Sequence, residues 1–270
     1  MKDSKKDVLT SAGQLDDLRK EIDKCDRVLI EYFQQRMSLV KKVLQFKRDN
    51  KLPVFHHKRE GEIIENALLN LKEDCFAEEV EGFLKAILKI SRKMQSKQLF
   101  PYNIVLIGFM GTGKSTVGKV LSEKLTMNYL DTDSLIEEES QLSIDEIFEK
   151  HGVEFFRDLE KETIAKISDK ENTIILCGGG VPLYNENIIN LRKNGKVILL
   201  EAGADTIYQR IKDDTTRPLL KKQMKVEKIK EMLKQRKNVY HDNADIIIQT
   251  DNKTIDEISS QIITELYSMD

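Results

Sequence analysis

The stretch Asn103–Thr116, NIVLIGFMGTGKST, decides the fold of the larger part of the chain. Its apolar run, Ile104–Ile107, predicts a buried strand, and the pattern G-x-x-x-x-G-K-S (108–115) follows at once. Glycines let the backbone bend so that successive N–H groups point at a polyphosphate, and the helix predicted over 115–126 presents its positive N-terminal end. The stretch therefore predicts a site for the phosphates of a nucleotide.

The same loop predicts individual contacts. Lys114 adds a positive charge near the outer phosphates, and Ser115 can bind Mg²⁺. The predicted contact set in this stretch is Gly108, Gly111, Gly113, Lys114, Ser115 and Thr116. The alternative, a glycine-rich turn that binds nothing, is disfavoured by the strand before it and the helix after it.

Length and charge indicate two parts. The chain has 270 residues, more than the roughly 100 to 200 that usually form one domain. Its formal net charge of −2 gives no reason to expect a nucleic-acid partner. Residues 1–100 carry a net +4, from 21 basic and 17 acidic side chains, whereas the rest carries −6, from 23 and 29. We place the boundary near residue 100, next to Pro101, which predicts domains 1–100 and 101–270.

The cysteines and the apolar runs predict the compartment. Cys25, Cys75 and Cys177 form neither a metal-ligand spacing nor a disulfide framework. The sequence shows no apolar core of the signal-peptide type and no run of 18 apolar residues. We therefore expect a cytoplasmic protein with reduced thiols and no membrane partner.

The first hundred residues predict helices. Between Gln14 and Leu52 there is neither glycine nor proline, and apolar residues recur every three or four positions. We predict one helix that is stopped by Pro53 and spans about 55 Å, longer than the diameter of a domain of that size. Helices over 58–71 and 76–98 would cover only part of its apolar stripe, so a second copy of the chain is an expected partner.

Three basic residues of the long helix have informative positions. Arg36 and Lys47 are eleven residues apart, so they differ by about 20° around the axis and share one face. Arg19 lies about 25 Å before Arg36 and about 100° around the axis, so it cannot serve the same pocket within one chain. In an antiparallel dimer it could reach the pocket of the other subunit. The alternative is that these are solvated charges on a helical bundle.

This part contains a set of short patterns and single residues: L-R-x-x-I-D (18–23), Arg36, Lys47, P-V (53–54), R-E (59–60) and S-x-x-x-Q (91–95). Together they resemble the all-helical chorismate mutases over about residues 12–98. The resemblance implies an intertwined helical homodimer that rearranges chorismate to prephenate. Many relatives have an acidic residue three positions before the R-E pair, where this chain has His56.

The resemblance also implies a role for each residue of the mutase site. The rearrangement needs no nucleophile, metal or acid; it needs a dianion held in a compact conformation, with donors near the breaking ether bond. The implied site consists of Arg19, Arg36, Lys47, Arg59, Glu60, Ser91 and Gln95. The arginines and Ser91 would serve the carboxylates, with Arg19 coming from the other chain. Lys47 and Gln95 would donate to the ether oxygen, and Glu60 would accept from the substrate hydroxyl.

Beyond the phosphate loop, apolar segments alternate with helical ones, which is typical of a parallel sheet whose ligands lie at the carboxyl ends of the strands. The further predicted strands are 127–130, 173–176, 196–200 and 244–248. Asp131 and Asp133 follow the second strand, and the glycines 178–180 follow the third. Arg157 lies on a helix, and Arg217 lies in a polar segment long enough for a lid. Each signal alone is weak evidence for a site, because such residues also cap helices and form turns. Their common position at the carboxyl ends of the strands is stronger evidence.

The patterns of this second part are GFMGTGKST (108–116), L-D-T-D (130–133), F-R-x-x-E (156–160), G-G-G (178–180), T-R-P-L-L (216–220) and R-x-x-x-Y (236–240). Together they resemble shikimate kinase over about residues 103–268. The resemblance implies phosphoryl transfer from ATP, with Mg²⁺, to a hydroxyl of shikimate. Relatives commonly have a proline between Arg236 and Tyr240, where this chain has Lys-Asn-Val.

The kinase resemblance implies these site residues. The substrate contacts are Asp133, Arg157, Gly179, Gly180 and Arg236, and the Mg²⁺ ligands are Ser115 and Asp131. The ATP contacts beyond the phosphate loop are Arg210, which would flank the adenine, and Arg217. Asp133 would orient and deprotonate the hydroxyl, while Arg157 and Arg236 would clamp the carboxylate. Lys114 and Arg217 would stabilise the transferred phosphoryl group.

The sequence thus predicts a multi-domain chain, with an N-terminal all-α domain followed by an α/β domain with a parallel sheet and a phosphate loop. The predicted function is bifunctional, combining a chorismate mutase with a shikimate kinase. Two alternatives stay open. In one, the helical domain only dimerises and senses chorismate or prephenate. In the other, the kinase acts on a different small hydroxylated acid.

Overall fold

The computed structural model describes residues 3–50, 52, 57–72, 74–212 and 225–269. Pro53, Val54, His56 and the segment containing Arg217 lie outside the described residues. The chain forms two compact units, Met1–Asn50 and Lys51–Asp270. The domain boundary near residue 100 stays a prediction.

The first unit contains a single long helix, α1 (Asp3–Asp49). It begins before the predicted Gln14, because one glycine, Gly13, costs only about 1 kcal/mol inside a helix and does not stop it. It ends three residues before the predicted Leu52. Its 47 residues span about 70 Å. Exposed apolar side chains lie along much of its length and include Leu15, Leu18, Ile22, Leu29, Leu39, Val43 and Phe46.

The second unit begins with two helices, α2 (His57–Leu69) and α3 (Ala77–Leu99), which pack against each other. Both agree closely with the predicted ranges. After α3 the chain passes directly into the core of the sheet domain, because Phe100 is fully buried. The Phe100 ring contacts those of Tyr102 and Tyr267, with centroid distances of 6.2 and 5.3 Å. These contacts join the end of α3 to the sheet domain.

Five parallel strands form the sheet, in the order β2-β3-β1-β4-β5. They are β1 (Asn103–Ile107), β2 (Asn128–Asp131), β3 (Thr173–Leu176), β4 (Gly195–Glu201) and β5 (Ile246–Gln249). All five residues of β1 are buried, as expected for a central strand of a parallel sheet covered on both faces. The predicted strands are confirmed, with ends that differ by one or two residues.

Seven helices of the described chain accompany the sheet: α4 (Lys114–Leu125), α5 (Thr132–Ser140), α6 (Ile144–Ser168), α7 (Asn185–Arg192), α8 (Ala204–Ile211), α9 (Val226–Asp242) and α10 (Ile255–Met269). The helix α6 bends at Gly152, whose φ is 82°. Its start is fixed by a capping box between Ser143 and Glu146. In the part of the chain that the structure describes, no helix is long and apolar enough to cross a membrane.

Candidate active site

The phosphate loop lies between β1 and α4 and is folded around a lysine. Lys114 Nζ donates to the carbonyl oxygens of Gly108 and Phe109, at 2.8 and 3.1 Å. Gly108 has a φ of 145°, and a Cβ there would overlap the carbonyl oxygen of Leu200 on β4. Only glycine therefore fits at the position where the loop leaves the strand.

A cavity of about 580 Å³ opens at the carboxyl ends of the strands. This volume is typical of a small-molecule site. Ten of the predicted kinase residues line it: Gly111, Gly113, Lys114, Ser115, Thr116, Asp131, Asp133, Gly179, Arg210 and Arg236. Lys212 also lines it, although its place at the end of α8 gave no signal in the sequence. The basic side chains suit an anionic ligand.

Asp131 and Asp133 lie where β2 passes into α5. Asp131 is the N-cap of α5, and its Oδ1 accepts from the N–H of Asp133 at 3.0 Å. Between them, the Thr132 hydroxyl oxygen accepts from the N–H of Gly178 at 3.0 Å. This bond joins the end of β2 to the glycine turn after β3, so that two adjacent strands supply one site.

Gly178 is packed against two carboxylates. A Cβ there would lie 2.5 Å from Asp133 Oδ1 and 3.4 Å from Glu160 Oε1. Asp133, which lines the cavity, and Glu160 therefore flank the same turn. Only a hydrogen atom leaves room for the Asp133 carboxylate in this position.

Arg157 is held by Glu160 one turn along α6. Its Nη1 donates to Glu160 Oε1 and Oε2, at 2.9 and 2.8 Å. Burial raises the pKa of the Glu160 carboxyl above its usual value, and the neighbouring Arg157 charge opposes that rise. Arg157 lies against Gly180, where a Cβ would overlap the guanidinium. The F-R-x-x-E pattern gives no role to Glu160, but its i, i+3 spacing from Arg157 on a helix is a signal that the two side chains can pair.

Arg236 and Tyr240 reach the same turn from α9. Tyr240 Oη donates to the carbonyl oxygen of Gly179 at 2.6 Å, and Arg236 Nη1 donates to it at 3.3 Å. Burial raises the pKa of the Tyr240 hydroxyl. The Arg236 guanidinium also lies 5.6 Å from the centroid of the Phe109 ring in the phosphate loop. The chain therefore orients Arg236 without a proline between it and Tyr240.

Arg210 connects the phosphate loop to the end of the sheet. Its Nη1 donates to the Gly111 carbonyl oxygen at 3.2 Å and to Thr250 Oγ1 at 3.1 Å. Its Nη2 donates to the Thr250 carbonyl oxygen at 3.0 Å. The guanidinium is thus fixed on the rim of the cavity, on the side of β5.

The predicted mutase residues of the second unit lie on α2 and α3. Ser91 and Gln95 are buried, with 4% and 6% of their surface exposed, and Gln95 Nε2 donates to the Ser91 carbonyl oxygen at 3.3 Å. Among the described residues, Gln95 Oε1 has no hydrogen-bond partner. Arg59 is exposed and pairs with Glu62 at 3.3 Å. Glu60 is half-buried and forms an ion pair with Arg92.

The remaining mutase residues belong to α1. Arg36 and Lys47 are both half-buried, whereas Arg19 is exposed and pairs with Asp16 at 3.2 Å. Arg36 and Lys47 are therefore less exposed than Arg19. This agrees with their positions on the helix, because Arg36 and Lys47 share one face and Arg19 lies on another.

The family model for shikimate kinase matches residues 110–267. The chain belongs to the shikimate kinase family. The family model for chorismate mutase type II matches residues 18–96, so both predicted resemblances are confirmed. The helical part thus precedes an α/β part of the shikimate kinase family, as predicted.

Individual shikimate kinases are similar over the second part. The shikimate kinase of Sulfurihydrogenibium sp. (strain YO3AOP1) is 44% identical over 164 residues, which cover 61% of this chain and 97% of the relative. That of Caldanaerobacter subterraneus subsp. tengcongensis is 47% identical over 161 residues, with 60% and 94% covered. The solved shikimate kinase from Acinetobacter baumannii in complex with shikimate is 32% identical, with a TM-score of 0.60 over 64% of this chain and 98% of that one.

The oxygen atoms that line the cavity fit the Mg²⁺ of a nucleoside triphosphate. Mg²⁺ is usually held by one or two protein oxygens together with phosphates and water. Ser115 and Asp131 supply one hydroxyl and one carboxylate to the cavity. Within the described ranges no group of three or more His, Cys, Asp or Glu side chains is arranged to hold a metal. Of the cysteines, Cys25 and Cys75 are exposed and Cys177 is buried.

Proposed function

We propose that the chain is a bifunctional enzyme. Its kinase part transfers the γ-phosphoryl group of ATP to a hydroxyl of shikimate, giving shikimate 3-phosphate and ADP. Its helical part rearranges chorismate to prephenate. The kinase assignment rests on one observation: Asp133, Arg236 and the Arg157–Glu160 pair all meet the glycine turn beside the phosphate loop.

Two arginines on different helices suit the carboxylate of shikimate. A guanidinium has five N–H donors in one plane, so Arg157 and Arg236 can each keep the contact described and still donate to a ligand carboxylate. Both lie against the glycine turn, where Gly179 and Gly180 have no side chain to keep the ring hydroxyls of the proposed substrate from the backbone. A substrate without a carboxylate would leave the remaining N–H donors of these two arginines without an acceptor on the ligand, and this disfavours a kinase for a neutral sugar.

In the proposed reaction Asp133 receives the proton of the substrate hydroxyl. As that proton passes to Asp133, the hydroxyl oxygen bonds to the γ-phosphorus, and the bond from this phosphorus to the β,γ-bridging oxygen breaks to release ADP. Lys114 and Arg217 offset the charge of the transferred group. Mg²⁺, held by Ser115 and through water by Asp131, would neutralise charge on the phosphates. Arg210 would flank the adenine.

Buried polar side chains of α3 support the mutase assignment. Gln95 faces the same way as Ser91 on α3, and its Oε1 atom is buried without a hydrogen-bond partner among the described residues. Burying a polar atom without a partner is costly, and its presence is explained if a polar ligand binds there. In the proposed site Gln95 and Lys47 donate to the ether oxygen, Glu60 accepts from the hydroxyl, and Arg36, Arg59 and Ser91 serve the carboxylates.

We further propose that the mutase part forms a homodimer through α1. Exposed apolar side chains run along this helix, including Leu18 and Ile22 at 62% and 58% exposure. Surfaces of this kind are usually covered by a partner. Arg19, with a side chain 65% exposed, would then complete the site of the other subunit.

Two assays on one purified preparation test the proposal. Loss of chorismate absorbance without ATP reports the mutase, and shikimate-dependent ADP formation reports the kinase. Lys47→Ala should abolish the first activity and leave the second unchanged. Lys42→Ala, which alters an exposed lysine of the same helix, is the matched control and should retain both.

The alternatives give different results. If the helical part is a sensor, chorismate is not consumed but chorismate or prephenate shifts the kinase rate. If the kinase prefers another hydroxylated acid, ADP forms faster with that acid than with shikimate. Equal loss of both activities in Lys47→Ala would indicate misfolding of the variant.

A further inference from the structure

The predicted mutase residue Glu60 is bonded to an arginine that the proposed mechanism does not use. Arg92 Nη1 donates to Glu60 Oε2, and the two side chains are only 17% and 21% exposed. Glu60 lies in the first turn of α2, and Arg92 follows Ser91 directly on α3. Because a charge-assisted bond of this kind is strong when shielded from water, it fixes the direction of the Glu60 carboxylate.

Arg92 has a second partner in the shikimate kinase part. Its Nε donates to Thr126 Oγ1 at 3.2 Å. Thr126 caps the C-terminal end of α4, the helix that begins at the phosphate loop, and its N–H donates to the Ser122 carbonyl oxygen. Since a guanidinium is planar and rigid, the bond from Nε to Thr126 also sets the direction of Nη1 towards Glu60.

We propose that Arg92 is a positioning residue for the mutase reaction and that Thr126 of the kinase part orients it. This inference rests on the proposed function, in which Glu60 accepts a hydrogen bond from the substrate hydroxyl. Arg92 occupies Glu60 Oε2, and the substrate hydroxyl takes Oε1. Arg92 therefore acts through Glu60 without touching the substrate, and the mutase site depends on a hydroxyl group that belongs to the kinase part.

A double-mutant cycle on the full-length protein tests the link between Arg92 and Glu60. Chorismate kinetics are measured for the wild type, Arg92→Gln, Glu60→Gln and the double variant. We expect Arg92→Gln alone to raise KM about tenfold and to change kcat less than about twofold, since a misplaced Glu60 weakens substrate binding. In the Glu60→Gln background the same change should alter KM less than about twofold. Arg92→Lys should recover part of the loss.

Thr126 variants test the second link. Thr126→Val keeps the side-chain shape and removes the hydroxyl, so we expect about a threefold rise in the mutase KM. Thr126→Ser keeps the hydroxyl and is the matched control, with a KM near that of the wild type. Kinase kcat/KM should stay within about twofold in all of these variants, which verifies folding.

Additive losses from Arg92→Gln and Glu60→Gln would overturn the proposal, because Arg92 would then act independently of Glu60. An unchanged mutase KM in Thr126→Val would overturn the role of Thr126. For the same four proteins, titration calorimetry also measures the dissociation constant for prephenate. If the wild type binds prephenate without consuming chorismate, the mutase assignment fails, yet additive or non-additive effects on binding still decide the positioning role.

Discussion

Arg157 and Glu160 form an ion pair on α6 in which one guanidinium nitrogen donates to both carboxylate oxygens, at 2.9 and 2.8 Å. Glu160 is 1% exposed, whereas the Arg157 side chain is 20% exposed and lies against Gly180. The buried carboxylate therefore holds the arginine in place at the glycine turn.

The first prediction concerns substrate binding. Glu160→Gln keeps the side-chain size but removes the charge that holds Arg157, so the KM for shikimate should rise about tenfold while the KM for ATP stays within about twofold. Steady-state kinetics with each substrate varied in turn measure both values. Glu162→Gln alters an exposed glutamate of the same helix and should behave like the wild type. An unchanged KM for shikimate in Glu160→Gln would show that Glu160 does not position Arg157 for the substrate.

The second prediction concerns stability and pH. Because burial raises the pKa of Glu160, its carboxyl ionises in the unfolded chain at a lower pH than in the folded chain. Above the ordinary pKa of about 4.5 the native state then binds more protons than the unfolded state, and the free energy of unfolding falls as pH rises, until the folded pKa is passed. Glutamine does not titrate. The wild type should therefore lose stability relative to Glu160→Gln as pH rises from about 4.5.

Urea denaturation of both proteins at several pH values between about 4.5 and 8 measures this difference. Glu162→Gln provides the reference for general effects of pH on the fold. A stability difference that does not change with pH would contradict the raised pKa. A difference that changes in the opposite sense would mean that the Arg157 charge outweighs burial.

The third prediction concerns the glycine turn. In Gly178→Ala the new Cβ would lie 2.5 Å from Asp133 Oδ1, and the carboxylate at the end of that flexible side chain must move. Since Asp133 is the proposed base, kcat of the kinase should fall about a hundredfold or more with little change in melting temperature. Gly203→Ala is the matched control, because its nearest contact, with Asp251, would be an ordinary 3.7 Å. A kcat near that of the wild type in Gly178→Ala would argue against Asp133 as the base.

The fourth prediction concerns the mutase dimer. Arg19→Ala and Lys47→Ala should each be inactive as mutases, but a hybrid dimer of the two has one site with both groups. Random reassembly after mixing and refolding makes half of the dimers hybrid, so about a quarter of the wild-type activity should return. Each variant refolded alone is the control. If hybrids identified by differently sized tags form and show no activity, the two residues do not serve a shared site.

Local patterns were enough to predict the sheet. The apolar runs that became β1 and β3 are buried on both faces, and the phosphate loop between β1 and α4 has the expected strand and helix on its two sides. The helix α1 begins at Asp3, before the glycine-free stretch that starts at Gln14, because one glycine costs too little to stop a helix.

Hydrogen bonds between residues far apart in the sequence could not be predicted from it. The bond from Arg92 to Thr126 joins residues 34 apart, and the bond from Tyr240 to Gly179 joins residues 61 apart. The two residues of each pair lie on different elements, so no helical or strand periodicity relates them and only the packed fold brings them together. The pairing of Arg157 with Glu160 was accessible because the two lie one turn apart on a helix.

The most direct test of the bifunctional account is Lys114→Ala, assayed for both activities in the same preparation, with the exposed Lys119→Ala of the same helix as the control. Loss of the phosphate-loop lysine should lower shikimate-dependent ADP formation by about a hundredfold or more, because it removes the positive charge that stabilises the transferred phosphoryl group in the proposed reaction. Chorismate consumption should continue at the wild-type rate. Loss of both activities together, or no chorismate consumption by either protein, would contradict the account.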